Sequence, residues 1–239
     1  MKILFLTESL GLRSGGIAVA TLHLAITLAN QYKSDSHVII AQRQYHEDEI
    51  ENDFEIPNNL KIVRLPKFGL RLYPLTWNLL GYIEEHKPDL LYLKGLWRQT
   101  SWTAYRWKKK NKNKLLMISP AGMLEPRARK VKKIYKDFSF FFIEKRLIES
   151  CDAVHAISVI ENRTLQGLDL KIKNLIHIPE GIPTNDLIIE NKEKAHNKPI
   201  KKLLFISRLD PIKGLDILIE SLSIVDMNGW ECEIIGSGS

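Results

Sequence analysis

Along most of this chain, stretches with the hydrophobic pattern of a buried β-strand alternate with stretches of helical periodicity. The first pair is a strand over Lys2–Thr7 and a helix over Ile17–Gln31, in which apolar residues recur at spacings of three and four. Strands that alternate with helices form a parallel sheet covered by helices on both faces, so the sequence predicts an α/β fold. The remaining predicted strands are Ser36–Ala41, Leu60–Leu65, Leu90–Lys94, Lys114–Ser119, Ala153–Ser158 and Asn174–Pro179, and the remaining helices are Tyr73–His86, Thr100–Lys110, Arg127–Ser150 and Val159–Gly167.

The alternating pattern stops at a polar segment and then starts again. Residues 185–200 are mostly polar and charged, which is typical of a linker. A strand over Lys202–Ser207, a helix over Leu215–Asp226 and a strand over Trp230–Ile235 follow. We therefore predict a complete Rossmann-like sheet domain over residues 1–184, a linker over 185–200, and the first strand–helix–strand of a second Rossmann-like domain over 201–239. Roughly 40 residues is less than usually folds alone, so this second helix is expected to leave an apolar face poorly covered.

Composition excludes several classes of protein. The 239 residues include two cysteines, too few for a disulfide framework or a zinc site, and a reducing compartment is expected. No stretch offers the roughly 20 apolar residues of a membrane span. The N-terminus lacks a small-residue cleavage site and has the pattern of a first strand, so we expect a cytoplasmic protein without a signal peptide.

The positive charge is concentrated in one region. The whole chain carries a formal charge of +7, but residues 106–146 alone hold fourteen Lys or Arg against three acids. A basic patch of this kind attracts nucleic acid, anionic lipid or a phosphorylated ligand. The ordinary alternative is a solvated helix face, and composition leaves this choice open.

A glycine-rich loop follows the first predicted strand. Gly15 and Gly16 precede the first helix, where paired glycines allow a ligand to approach the backbone and the free amides favour an anion. The spacing matches neither the dinucleotide-binding G-x-G-x-x-G pattern nor a Walker loop, which argues against a nicotinamide-dependent oxidoreductase. The alternative is a tight strand–helix turn without a ligand.

Two cations mark the loop after the linker. Arg208 follows a predicted buried strand, and Lys213 precedes Gly214 at the start of the next helix. An arginine and a lysine beside a helix N-terminus suit a diphosphate group. The alternative is a surface turn whose charges are solvated.

These segments together resemble the retaining GT-B glycosyltransferases of family 4. The signature S-R-L-D-P-I-K-G-L-D-I-L-I carries most of the resemblance, and several weaker motifs follow in the same order along nearly the whole chain. The matching segments are Ser207–Ile219, Ser14–Gly16, Lys87–Trp97, Ser119–Ala128, Ala153–Ser158 with Glu161, and His177–Ile182.

The resemblance implies transfer of a sugar from a nucleotide-diphosphate sugar to a glycan or lipid-linked acceptor, with retention at the anomeric carbon and without a metal or other cofactor. The N-terminal domain would bind the acceptor and the C-terminal domain the nucleotide sugar. Arg208 and Lys213 would neutralise the diphosphate, and Gly15 and Gly16 would line the cleft. The subgroup that the motifs resemble implies surface polysaccharide or lipopolysaccharide synthesis.

The chain departs from that family at several positions. Ala121 and Lys94 stand where many members have histidine, and Glu180 stands where an asparagine is usual. His155 lies inside a predicted strand and is interpreted as a core histidine, or as one that supports a neighbouring functional group, rather than as a catalyst. The family's acidic motif lies beyond residue 239, so the catalytic residues are unknown and these 239 residues alone are expected to be inactive. The alternative is a non-catalytic remnant that only binds the acceptor.

The basic segment 127–146 also contains four phenylalanines, Phe138, Phe140, Phe141 and Phe142. Cations beside bulky apolar groups could dock on an anionic membrane near a lipid-linked acceptor. Alternatively, the phenylalanines are core contacts of a long helix with a wet lysine face. No nucleic-acid-binding module pattern is present, so no nucleic-acid partner is predicted.

Overall fold

The computed structural model describes residues 1–11, 15–43, 54–68, 75–130, 132–181 and 201–238. Contacts divide the chain into two units, Met1–Pro183 and Thr184–Ser239. The predicted linker over 185–200 lies outside the described residues. The proposed domain bounds therefore stay a prediction, and each unit is considered by itself.

Within its described residues, the first unit is a seven-stranded sheet in which every pair of neighbours is parallel, as the alternating pattern predicts. The strand order is β3-β2-β1-β4-β5-β6-β7. The strands are β1 Lys2–Thr7, β2 Ser36–Arg43, β3 Leu60–Pro66, β4 Leu90–Lys94, β5 Leu115–Ser119, β6 Ala153–Ala156 and β7 Leu175–His177. The helices are α1 Gly16–Gln31, α2 Leu79–His86, α3 Gln99–Lys110, α4 Pro126–Lys130, α5 Lys133–Ser139, a π-helical segment Phe140–Glu144, α6 Lys145–Ser150 and α7 Val159–Gly167.

The two faces of the sheet bury two separate apolar clusters. In β1, Ile3 and Phe5 face the cluster under α1, while Leu4 and Leu6 face the cluster under the other helices. This alternation follows from the period of two along a strand. The helix α1 follows β1 on one face of the sheet, and α3 follows β4 on the other face. From β1 the chain adds strands in one direction across the sheet, and from β4 it adds them in the opposite direction. Ligands of parallel α/β sheets bind at such a switch point, beyond the carboxyl ends of the strands.

The predicted helix Arg127–Ser150 is wrong as one continuous element. Lys132 adopts a left-handed backbone with φ of 55°, and α5 starts after it. A π-helical segment over Phe140–Glu144 then separates α5 from α6. Neither glycine nor proline marks the break, so the sequence offers no local signal for it. The predicted helix over Tyr73–His86 was also too long, since α2 begins at Leu79 after a left-handed Asn78, and Tyr73 itself lies outside the described residues.

The second unit contains β8 Lys201–Ile206 and β9 Trp230–Ile235, which pair in parallel. A 3-10 turn over Pro211–Lys213 and α8 Leu215–Ile224 connect them. The described side chains of this unit are all partly or fully exposed, including Ile219 at 54%. The strand–helix–strand unit predicted from the sequence is present as β8, α8 and β9.

Candidate functional site

The carboxyl edge, meaning the residues at or directly after the carboxyl ends of β1 to β7, collects charged side chains. Glu8 follows β1, and its carboxylate lies 3.4 Å from Nζ of Lys67, which follows β3, and 3.0 Å from Nε of Arg98, which follows β4. Lys67 is only 7% exposed. Glu8, Lys67 and Arg98 therefore form a charged cluster at the switch point, where ligands of such sheets bind.

A second charged cluster joins β4 to the end of the sheet. Lys94, the last residue of β4, is 2% exposed, and its ammonium contacts the carboxylate of Glu180, which follows β7. Because β5 and β6 lie between β4 and β7, this pair crosses the ends of two strands. Burial lowers the pKa of Lys94 to about 8, against the opposing effect of the Glu161 carboxylate. Lys94 and Glu180, two of the three positions at which the sequence departs from the family it resembles, therefore contact each other.

Glu161 fixes the loops between these residues. It is 1% exposed, and its two carboxylate oxygens accept from the backbone N–H of Gly122 at 2.7 Å and of Ile157 at 2.8 Å. Its own N–H donates to the Ser158 hydroxyl at 3.0 Å, which caps α7. The carboxylate thus ties the segment after β5 to the segment after β6. Ala121, where the resemblance leads one to expect histidine, has a left-handed φ of 54° within that segment.

His155 is engaged at both ring nitrogens. Its Nε2 lies 2.7 Å from the carbonyl oxygen of Ile178, and its Nδ1 lies 2.8 Å from the hydroxyl of Tyr92. A carbonyl only accepts, so Nε2 carries the proton and Nδ1 accepts from Tyr92 in the neutral ring. Burial lowers the pKa of His155 and raises the pKa of Tyr92 to about 12, which keeps this arrangement. The interpretation of His155 as a core histidine is confirmed.

Glu144 holds the loop after β4 in place through a buried hydrogen bond. This residue of the π-helical segment is fully buried, and its Oε1 accepts from the backbone N–H of Trp97 at 2.9 Å. The hydroxyl of Ser139 lies 3.4 Å from the same oxygen. Burial raises the pKa of Glu144 to about 7. Because Trp97 has a left-handed φ of 70°, this bond helps to hold an unfavourable backbone that positions the adjacent Arg98.

The predicted glycines lie at the start of α1. Gly15 is the N-cap residue with φ of 63° and ψ of −149°, a conformation nearly confined to glycine. Gly16 begins the helix, and a Cβ added at either position meets no atom of the described residues within 4 Å. The role of these glycines in binding stays a prediction.

The predicted cations of the second unit are both exposed. Arg208 follows β8, and Lys213 ends the 3-10 turn before Gly214, the N-cap residue of α8. The turn is ordered by hydrogen bonds from Lys213 N–H to the Asp210 carbonyl and from Gly214 N–H to the Pro211 carbonyl. A side chain at Gly236 would collide with the carbonyl oxygen of Ser207, so that glycine is required for the close approach of the chain after β9. Diphosphate binding by Arg208 and Lys213 stays a prediction.

Sequence reasoning singled out Gly15, Gly16, Arg208 and Lys213 but did not connect the carboxyl-edge residues to one another. A charged residue at or just after a buried strand was a usable signal for Glu8, Lys67 and Lys94. No comparable signal existed for Glu144, which has the sequence setting of an exposed helical acid. In the described part of the chain, no group of three His, Cys, Asp or Glu side chains is placed to hold a metal ion.

The aromatic part of the basic segment is mostly exposed. Phe140 packs against the core and Arg129 lies 4.6 Å from its ring, but Phe138 is 66%, Phe141 67% and Phe142 43% exposed. The core-contact interpretation is therefore wrong for three of the four phenylalanines. Among the described residues, none of the helices has the length and apolar character needed to cross a bilayer.

Comparison with known proteins finds similarity in structure only. No protein-family model matches the chain, and no curated protein sequence matches it. Among solved structures, the apo form of the lipopolysaccharide outer core galactosyltransferase WaaB has a TM-score of 0.61 at 18% identity, with 100% of this chain and 62% of that one covered. Anabaena HepE in complex with UDP-glucose has the same TM-score and identity, with 99% and 61% covered.

A third structure extends the comparison beyond transferases. The UDP-GlcNAc 2-epimerase of Neisseria meningitidis, bound to UDP-GlcNAc, matches with a TM-score of 0.52 at 15% identity, covering 98% of this chain and 65% of that one. The chain spans less than two thirds of the length of these three structures. At these identities the similarity establishes the fold, and this chain has the α/β fold of the GT-B glycosyltransferases.

Proposed function

We propose that this chain is a glycosyltransferase that moves a sugar, with retention, from a nucleotide-diphosphate sugar to a glycan or lipid-linked acceptor. The observation that carries the proposal is the alignment of nearly the whole chain, both units included, with structures such as WaaB and the HepE complex with UDP-glucose. The charged carboxyl edge at a switch point supports it, because ligands of such sheets bind there. By analogy with WaaB, the acceptor would belong to surface polysaccharide or lipopolysaccharide synthesis.

The proposed roles divide between the two units. Arg208 and Lys213 would hold the diphosphate and stabilise charge on the leaving group, without a metal ion or other cofactor. Gly15 and Gly16 would line the acceptor side. The charged cluster of Glu8, Lys67 and Arg98 would face the substrates.

Titration of the 239-residue chain with UDP tests the donor side. We expect Arg208→Ala and Lys213→Ala each to weaken UDP binding about tenfold or more, because each removes a charge-assisted contact. Lys202→Ala is the matched control, since Lys202 is an exposed lysine of the same unit near the opposite end of β8. UDP affinity that is unchanged in both test variants would contradict the assignment.

Product analysis separates the proposed transfer from two alternatives. The similarity to a 2-epimerase favours epimerisation of UDP-GlcNAc as a second candidate, which would proceed without an acceptor. A remnant that only binds an acceptor would leave every nucleotide sugar intact. Release of UDP from a nucleotide sugar in proportion to a glycosylated product would identify transfer and contradict both alternatives.

The segment 127–146 is proposed to contact an anionic membrane on the cytoplasmic face. Ile134 is 88% exposed, and with Phe138, Phe141 and Phe142 it follows helical spacing on one side. Phe138 and Phe142 lie 4.4 Å apart between ring centroids. Exposed apolar groups of this size mark an interaction surface, and their cationic surroundings complement anionic headgroups. The exposed cations of the segment are Arg127, Lys130, Lys132, Lys133 and Arg146.

Vesicle co-sedimentation tests this contact. We expect the protein to sediment with vesicles of phosphatidylcholine and phosphatidylglycerol but much less with phosphatidylcholine alone, because each cation near an anionic surface contributes about 1 kcal/mol. Phe138→Ala together with Phe141→Ala should reduce sedimentation. Ile160→Ala, which removes an apolar side chain that is also 66% exposed on α7, should not. Equal recovery with both vesicle types would refute the contact.

A further inference from the structure

An aromatic groove lies beside the carboxyl edge of the first unit. It has a volume of about 810 Å³ and is lined by Pro66, Phe68, Leu75, Thr76, Trp77, Asn78, Tyr82 and Gln99. This volume is within the range of ligand sites. Three aromatic side chains of the groove face solvent, with Trp77 82%, Phe68 55% and Tyr82 36% exposed.

Hydrogen bonds hold the backbone directly before Trp77, whose indole is exposed. The side-chain amide of Gln99 accepts from the Thr76 N–H at 2.6 Å and donates to the Thr76 carbonyl at 2.9 Å. One side chain therefore binds both backbone polar groups of the residue before Trp77. Buried Gln42, at the end of β2, donates to the Thr76 hydroxyl at 2.9 Å. Phe68 and Leu75 exchange two backbone hydrogen bonds across the groove. A pre-ordered aromatic residue loses little conformational entropy when a ligand binds.

The lining chemistry narrows the class of ligand. Among the described residues that line the groove, three are aromatic and none is charged. The aromatic rings offer flat apolar faces, and the side-chain amide of Asn78 adds a hydrogen-bonding group. The polar groups of Thr76 and Gln99 already bond to each other and to Gln42. A saccharide has matching features, because its C–H faces are apolar and its hydroxyls form hydrogen bonds.

The position of the groove links it to the carboxyl edge. Pro66 ends β3 directly before Lys67, and Gln99 starts α3 directly after Arg98. Lys67 and Arg98 are the two cations that contact Glu8 at the switch point. The groove and the charged cluster around Glu8 are therefore built on neighbouring residues of β3 and α3.

We propose that the groove around Trp77 is an extended subsite for uncharged sugar residues of the acceptor, at a distance from the sugar that reacts. This inference rests on the proposed transferase function, because that function supplies the saccharide acceptor. Binding of remote sugar residues would orient the reactive end of the acceptor at the switch point.

Calorimetric titration of the 239-residue chain with maltohexaose, cellohexaose and isomaltohexaose tests the proposal. We expect at least one hexasaccharide to bind, Trp77→Ala to weaken it about thirtyfold or more, and Trp77→Phe to retain most of the affinity. Tyr32→Ala is the control, because Tyr32 is a 48% exposed aromatic residue at the opposite end of α1 from the carboxyl edge. Circular dichroism checks that each variant is folded.

Several outcomes would overturn the proposal. These are binding of none of the three hexasaccharides, binding that survives in Trp77→Ala, preferential binding of dioctanoyl phosphatidylcholine, or self-association in the ultracentrifuge that Trp77→Ala abolishes. A parallel UDP titration keeps the two proposals apart. UDP binding without hexasaccharide binding defeats the subsite alone, whereas Trp77-dependent hexasaccharide binding without UDP binding defeats the donor assignment and leaves the subsite standing.

Discussion

The two units share one sequence pattern but bury very different amounts of apolar surface. In the first unit, α1 covers one face of the sheet and the other helices cover the second face, so strand residues such as Leu4 and Phe5 are 1% exposed. In the second unit, the described side chains of β8, α8 and β9 all remain partly or fully exposed. A strand–helix–strand pattern therefore specifies local structure, while burial depends on neighbouring strands and helices.

The largest expected difference in stability between the two units comes from replacing one tryptophan in each. Trp107 on α3 is 1% exposed, so Trp107→Ala should lower the free energy of unfolding by about 3–5 kcal/mol through lost burial and a cavity. Trp230 of the second unit is 44% exposed with Lys201 5.2 Å from its ring centre, so Trp230→Ala should cost about 1 kcal/mol or less. Urea unfolding followed by circular dichroism measures both, and similar losses would break the comparison between the units.

The next expected difference between the units is the dependence of stability on pH. Burial raises the pKa of Glu144 from 4.5 to about 7, so between these values the folded state keeps a proton that the unfolded state releases. The stability associated with protonated Glu144 is therefore complete below pH 4.5 and is lost as the pH rises to about 7, by about 3 kcal/mol. Glu144→Gln should remove this part of the pH dependence of urea unfolding.

The control for Glu144 lies in the second unit. Glu220 is an exposed glutamate of α8, and Glu220→Gln should leave the pH dependence unchanged. A Glu144→Gln variant with the same loss of stability between pH 5 and pH 8 as the unsubstituted chain would contradict the assignment of a proton to this carboxyl.

A smaller difference separates two paired lysines. Lys94→Met would leave the buried carboxylate of Glu161 without its nearby cation and release Glu180, so a loss of about 2 kcal/mol is expected. Lys202 is exposed and lies 3.4 Å from Glu233, so Lys202→Met should change stability by less than about 1 kcal/mol. Adding Glu180→Gln to Lys94→Met should recover part of the loss, and a loss in Lys202→Met as large as in Lys94→Met would contradict the ranking.

The smallest expected effects have opposite signs at two glycines. Among the described residues, no atom lies within 4 Å of a Cβ added at Gly16 or at Gly229, so such contacts do not distinguish the two positions. Gly16 starts a helix, and Gly16→Ala should stabilise the fold by up to about 1 kcal/mol. Gly229 has a φ of 73°, so Gly229→Ala should destabilise it by about 1–2 kcal/mol. Thermal unfolding measures both, and shifts of the same sign would show that backbone conformation is not the deciding factor.

Much of the fold was predictable because the elements are long and regular in their pattern. The strands β1, β4 and β9 begin and end at the predicted residues. β1 and β4 are largely apolar runs, whereas β9 alternates apolar residues with glutamates and follows the turn at Gly229. The break at Lys132 was not predictable, because a lysine with a left-handed backbone carries no local signal. The second interruption, the π-helical segment, contains Glu144, whose contact with Trp97 is tertiary and is not revealed by periodicity.

The sequence by itself determined the alternation of strands and helices, the glycines before α1, and the two cations after β8. Only the tertiary structure decided which side chains meet at the carboxyl edge, because Lys94 and Glu180 are 86 residues apart and contact each other only when parallel strands end at the same edge. Likewise, only packing decided that Phe140 faces the core while Phe138 and Phe141 face solvent. Local periodicity places a residue on a face, but the neighbours that cover this face come from distant parts of the chain.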